Sequence, residues 1–237
     1  MSDQRPTADA ATRYYGRRVG RPLRPGRAAL LETRLPELSV PDPASGPLDP
    51  ASLFDSPKRA LWLEIGFGAG EHLVWQAEQN PDIGLIGAEP FLNGLTACIS
   101  AIDDSGVKNV RLHGEDARPL LEALPEASVE KLFVLHPDPW RKRRHWERRI
   151  IGPQGLDLMA RVLADGGELR TATDHAGYQI WMLRHLRADR RFEWLAETAD
   201  DWRVRPDDWP ETRYAAKAVR EGRPIALLRF RRCPRAA

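Results

Sequence analysis

Cysteine is scarce in this 237-residue chain. Two residues, Cys98 and Cys233, cannot build a disulfide framework, and no CxxC pair or Cys/His spacing marks a metal site. Long apolar runs are missing as well. No stretch of 18 apolar residues would cross a bilayer, and MSDQRPTADAATRYYGRR has no apolar core of a secretory signal. These absences lead us to expect a cytoplasmic protein with neither a membrane nor a metal partner. Net charge is nearly absent too, +2 from 36 Lys/Arg against 34 Asp/Glu, so the chain is no general polycation. There is no internal repeat.

What is present is a core-forming composition, 42% hydrophobic with eight tryptophans, which suits one sizeable α/β domain plus appendages. The charge is also unevenly placed. Residues 13–27 hold six arginines and no acid, residues 141–149 hold six cations against Glu147, and residues 229–235 hold four arginines. Separate basic clusters on a nearly neutral chain point to local anion-binding surface.

The first 12 residues are polar and read as disordered. Residues 13–38 join the arginine cluster to a weakly helical AALLETRLPEL, and SVPDPASGPLDPASLFDSP (39–57) reads as a Pro-rich surface loop or linker. From about residue 58 to 237 the pattern is that of a domain. ALWLEIGF, IGLIGAEP, NVRLHGED, VEKLFVLHPDP and GELRTATD are strand-like. Helical stretches lie between and after them: EHLVWQAEQN, FLNGLTACISAIDDSG, ARPLLEALPE, one within ERRIIGPQGLDLMARVLADGG that ends on its Gly-Gly, and HAGYQIWMLRHLRAD. Such alternation specifies a parallel sheet with helices on both faces. RPIALLRFRR adds a late strand, expected antiparallel, and PDDWPETRYAAKAVREGR before it reads as a mobile substrate loop or a plain connector. Ligands of such sheets bind beyond the carboxyl ends of the strands.

The chemistry-bearing residues fall at those ends. LEIGFGAGEH places Gly66, Gly68 and Gly70 after a strand and before a helix. A dinucleotide fingerprint needs a glycine at 71, where this chain has Glu71, an acid at a helix start that a pyrophosphate would occupy. A phosphate-free adenosyl ligand with a cationic sulfonium fits better. Glu64 can face its positive end, Glu89 its ribose hydroxyls and Asp116 its adenine amino group. The plainer readings are an ordinary glycine turn with a helix-capping acid and, for Glu89, a surface acid. HPDPWRKRRHWERR then fixes Asp138 between Pro137 and Pro139, which restrict the backbone on either side. Trp140 can wall the site or stack on a base, and the cations that follow can neutralise phosphates or simply be a solvated face. Asp174, ending the fifth strand, is placed to bond a base edge or to cap the next helix.

Taken together, LEIGFGAGEH, GAEP, GED, HPDPWRKRRHWERR, TATDHAGY and ETRYAAKAVREGRPIALLRF resemble the bacterial tRNA (guanine-N7-)-methyltransferase family over roughly residues 58–231. The resemblance implies a Rossmann-like class I methyltransferase fold, with a mostly parallel seven-stranded sheet and a late antiparallel strand. It implies S-adenosylmethionine as cofactor and tRNA as partner; whether the chain is a monomer or a homodimer is not legible in the sequence. Methyl transfer would go to guanine N7 at position 46 of the variable loop. By position it implies cofactor contacts from Glu64, Gly66, Gly68, Glu89, Asp116 and Asp138, with Asp138 also the catalytic acid. Nucleoside or tRNA contacts would come from Lys142, Asp174, Thr212, Arg213, Tyr214 and Ala215, and RNA interaction from Arg143, Arg144, His145, Trp146, Arg148 and Arg149. The chain departs from the family pattern at His136, at Trp146 and Glu147, and at Ala215, where a glutamate is usual. Ala215 prompts the alternative of a catalytically weak, methyltransferase-like tRNA-binding protein. A nicotinamide oxidoreductase is disfavoured by Glu71, and amino-group methylation by the order Pro-Asp-Pro-Trp.

Overall fold

The computed structural model describes residues 15–236. The expected disorder of residues 1–12 lies outside them. In chain order the elements are α1 (Pro25–Thr33), α2 (Leu35–Leu38), β1 (Ala60–Ile65), α3 (Glu71–Gln79), β2 (Ile83–Ala88), α4 (Leu92–Ser105) and β3 (Val110–His113). There follow α5 (Ala117–Ala123), β4 (Val129–Leu135), α6 (Pro153–Val162), β5 (Leu163–Thr173), α7 (Ala176–Ala188), β6 (Phe192–Trp194), α8 (Asp200–Arg203), α9 (Arg213–Arg220) and β7 (Ala226–Arg232). The seven strands form one sheet in the order β3-β2-β1-β4-β5-β7-β6. Strands β1 to β5 pair in parallel, while β7 runs antiparallel to β5 and to β6.

Every residue of β2 is buried, and so are five of the six in β1, because helices cover the sheet on both faces. One apolar cluster holds Leu63, Leu132, Leu169, Tyr178 and Phe230, and the other holds Leu73, Leu85, Leu95, Phe133 and Ala172. Strand order reverses between β1 and β4, so a cleft opens at their carboxyl ends. None of the described helices is long and apolar enough to cross a membrane.

Three segments differ from the sequence reading. Residues 39–57 do not behave as a surface linker. Val40 bonds to Leu112 O, Leu48 to Ala123 O, and Val40, Leu48, Leu53 and Phe54 are buried in the first cluster. Their apolar side chains outweigh the turn-forming residues between them. Gly166-Gly167 does not stop a helix; α6 ends at Val162, and Gly166, at φ +78°, sits within β5 where the pairing with β4 slips. The pair thus forms a bulge. The segment before β7 contains α9 and a buried Trp209, and β6 is a three-residue edge strand without its own periodic signal. The stretch read as weakly helical lies within α1 and α2, and the chain just before it is held to α4 by Leu92 N to Arg18 O and Gly20 N to Asn93 Oδ1.

Candidate active site

The glycine turn between β1 and α3 creates space. Gly66 and Gly68 have φ of +76° and +58°, and a Cβ on either would project into open volume. That lets a ligand approach the backbone closely. On the other side of the turn α4 presses in, so that a Cβ on Gly94 would strike the Gly68 carbonyl oxygen.

Beyond the turn lies a cleft of about 380 Å³ lined by Gly66, Glu89, Asp116, His136, Asp138 and Trp140, among others. Glu89 accepts from Gly68 N (2.8 Å) and Phe91 N (2.9 Å), one on each oxygen. Each oxygen keeps a second lone pair for a hydroxyl donor. Burial raises the Glu89 pKa and these two backbone bonds only partly offset it. Asp116 caps α5 by accepting from Arg118 N (2.8 Å), and Arg118 also pairs with its other oxygen (2.8 Å). Each Asp116 oxygen keeps a second lone pair beyond these bonds. Asp138 stands exposed at the rim with no hydrogen-bond or ion-pair partner among the described residues. Its carboxyl is still crowded enough that desolvation raises its pKa.

Glu64 is the departure among the acids. It is 2% exposed and is absent from the residues around the cleft. Its Oε2 accepts from His72 Nδ1 (2.8 Å), and His72 Nε2 faces Gln76 Nε2 (3.2 Å), which also donates to Asp208 O. The ring therefore donates at Nδ1 and accepts at Nε2. Glu64 ties β1 to α3 beneath the glycine turn.

Residues 15–17 also line the cleft, a placement that leaves no signal in the sequence. The Arg148 guanidinium lies 4.5 Å from the Tyr15 ring centre and 5.1 Å from that of Trp140, and Arg18 pairs with Glu115. Residues 15–18 thus join the arginine run to the cofactor side of the sheet.

His136 divides this cleft from a second cavity of about 610 Å³, lined by His136, Gln179, Trp202, Trp209, Thr212 and Ala215 among others. Its backbone is left-handed (φ +52°), as is that of Trp140 (φ +39°), so the segment between them carries strain of the kind functional loops hold. The His136 ring packs 4.4 Å from Tyr214, and its Nδ1 is 3.9 Å from Asp174 Oδ1, too far for a bond. Asp174 instead accepts from Arg223 Nε (2.7 Å) and Tyr214 Oη (3.3 Å). Desolvation pushes the Asp174 pKa up, but the hydrogen bond from Arg223, followed by that from its own backbone N–H and by nearby positive charge, brings it below the usual carboxylate range. The cap of α7 is His175, not Asp174.

With Asp174 already paired, burial dominates at His136 and lowers its pKa to about 4. The unfolded imidazole titrates near ~6.5, so between these values the unfolded chain binds a proton that the native chain does not. Stability therefore falls as pH drops from 6.5 towards 4, by about 2–3 kcal/mol from this one group. His136→Asn, a residue tolerant of positive φ, should lose that much less between pH 7 and pH 4.5. Urea unfolding of both proteins at the two pH values measures the difference, and equal losses would refute it.

The stretch from Thr212 to Ala215 is the start of α9. Thr212 is its N-cap and accepts from Ala215 N (3.2 Å). Residue 215 is thus the third helical position, where a glutamate would complete a capping box. This chain keeps the cap without the box. Arg213 anchors the same helix end on Glu71, through its side chain and through its backbone N–H to Oε2 (2.6 Å).

The cationic run divides in two. Arg141, Lys142, Arg143 and Arg144 are exposed, and Lys142 holds the N-cap position of the 3-10 helix Arg143–Arg148. His145 is half-buried with its ring edge-on to Trp140. Trp146 is half-buried with its ring 5.2 Å from that of Trp181, and Arg149 is 6% exposed. Apolar contact with α7 draws both inward. Among the described residues no cluster of His, Cys, Asp or Glu could hold a metal ion.

Comparison with known proteins agrees with this geometry. A family model described as "Putative methyltransferase" matches residues 58–228. The tRNA (guanine-N(7)-)-methyltransferase of Rhodospirillum rubrum is 55% identical over 237 residues, covering 99% of this chain and 92% of that protein. The one from Brucella melitensis is 44% identical, covering 97% and 99%. Among solved structures, an rRNA methylase from Streptococcus thermophilus superposes with a TM-score of 0.51 at 11% identity, over 75% of this chain and 89% of that one, which bears on the fold. The chain belongs to the tRNA (guanine-N(7)-)-methyltransferase family.

Proposed function

We propose that this chain transfers a methyl group from S-adenosylmethionine to N7 of guanine in tRNA, at position 46 of the variable loop. The observation that carries the reading is the convergence of Glu89, Asp116 and Asp138 on one cleft beside Gly66 and Gly68, flanked by exposed cations. The cofactor supplies an electrophilic methyl group on a sulfonium. The residues present suit it: an open glycine turn, a carboxylate at the end of β2 with free lone pairs for ribose hydroxyls, and a further acceptor at Asp116.

Guanine N7 carries an in-plane lone pair and no proton, so the chain need not supply a general base. It has to hold the base in line and tolerate positive charge arriving on the ring. Asp138, at the rim and without a partner among the described residues, is available to accept from the N1–H and amino edge and to balance that charge. His136 is neutral at pH 7 and packs at a tilt against Tyr214, and so serves as a wall between cofactor and base. Asp174 and Tyr214 border the base from the far side. Arg141 to Arg144 meet the tRNA phosphates.

The weak-binder alternative loses its motive here, because Ala215 removes half of a helix cap whose other half, Thr212, is intact and whose helix is also anchored by Glu71. To test the function, tRNA from cells lacking this modification is incubated with the protein and labelled cofactor, and the modified base is mapped. Label on N7 of G46 is the expected outcome. Binding without label, or label at another atom, would refute the reading.

A further inference from the structure

The arginine at the end of the cationic run is buried away from every acid among the described residues. Arg149 donates from Nε to Pro139 O (2.8 Å) and from Nη2 to Trp140 O (3.3 Å). Around it, the ring centres of Trp146, Tyr178 and Trp181 lie 4.8, 4.9 and 4.7 Å from the guanidinium carbon. No described carboxylate pairs with it, and desolvation lowers its pKa. A buried guanidinium with no counter-ion is costly for a fold to keep, and an apolar side chain of similar volume would fill the same aromatic cage. What the apolar side chain could not do is bond two carbonyls at once.

Those two carbonyls belong to the residues directly after Asp138. Trp140 holds φ +39°, a strained value for a tryptophan that the surrounding structure has to hold in place. The planar fork of Arg149 bonds both the Trp140 carbonyl and the preceding one. At the other end of the segment His136 is fixed by its N–H to Ala172 O (2.8 Å). Asp138 has no side-chain bond of its own among the described residues, so the backbone on either side of it sets where its carboxylate stands.

We propose that Arg149 is a positioning residue for methyl transfer, clamping the Pro139 and Trp140 carbonyls so that Asp138 faces the target base, and that it is not an RNA contact. The inference rests on the role given above to Asp138. It separates Arg149 from Arg143 and Arg144, its neighbours in sequence, by function as well as by burial. Tyr178 and Trp181 of α7 share the task by caging the guanidinium, and Trp181 Nε1 donates to Ile151 O (2.6 Å), fixing the chain just beyond.

The test compares Arg149→Lys and Arg149→Met with the unaltered protein. Lysine keeps the charge but lacks the fork, and methionine keeps apolar volume. For both variants the expected result is a folded protein whose tRNA affinity and salt dependence lie within about twofold of the original, with kcat reduced roughly tenfold to a hundredfold. Restoration of activity by Arg149→Lys, or a salt slope shallower by ~0.7–0.9 with kcat intact, would make Arg149 a phosphate contact and overturn the proposal. Loss of fold in both variants would overturn it as well, since the residue would then serve the core. If the unaltered protein itself leaves tRNA unmethylated, the functional reading fails; if it methylates and the variants match it, only this inference fails.

Discussion

Asp138→Ala should reduce methyl transfer to tRNA by about 10²–10³ in kcat, the range seen when one preorganised charge-stabilising group is removed. Asp138 lines the cleft, keeps no partner among the described residues, and sits beside the wall formed by His136 and Trp140. Nothing in the described fold depends on its carboxylate, so the thermal midpoint should hold or rise slightly as a crowded, unpaired charge is removed. tRNA affinity should hold too, because the exposed cations are separate from it. Asp138→Asn should fall between the two, since an amide oxygen accepts the N1–H but brings no negative charge. Single-turnover methylation with excess enzyme, alongside filter binding of the same tRNA, reads both quantities. Transfer within threefold of the original in Asp138→Ala would remove this residue from the mechanism.

Reversing two cations, Arg143→Glu with Arg144→Glu, should give the opposite signature. Both side chains are exposed on the 3-10 helix that follows Asp138, and neither pairs with an acid among the described residues. Each tRNA phosphate that is no longer neutralised should flatten the salt dependence of log K by ~0.7–0.9, so the pair should flatten it by ~1.4–1.8, with binding at least about tenfold weaker at low salt. The rate at saturating tRNA should stay unchanged, as should stability. Titrations at several salt concentrations measure this. An unaltered slope would mean that the tRNA lies elsewhere, and Arg17, Arg21 and Arg24 would become the leading candidates to hold it.

Opposite outcomes at positions 138 and 143–144 would show that neighbouring residues divide the labour. The sequence displays both groups in one fourteen-residue segment, HPDPWRKRRHWERR, and that much is legible without coordinates. The alternation of apolar runs with amphipathic stretches likewise specifies the parallel sheet, since strands buried on both faces must be apolar throughout. The late antiparallel strand is equally readable. Short or weakly patterned elements are not. β6 has three residues, and α9 hides in a segment whose prolines and charges read as loop. The Gly166-Gly167 pair has the same spelling as a helix stop and as a bulge, and only pairing with β4 distinguishes them.

The residue types at the rim, their order along the chain and the membership of one family were therefore set by the sequence alone, because strand ends and motif spacings are local properties. Which of those residues line the cleft was decided by tertiary packing. Glu64 turns down to His72, Arg149 turns in to Tyr178 and Trp181 on an element further along the chain, and residues 15–17 come across from near the start of the chain to the cleft. A side chain's direction depends on what packs beside it, and contacts between residues distant in sequence leave no periodic trace in the sequence itself.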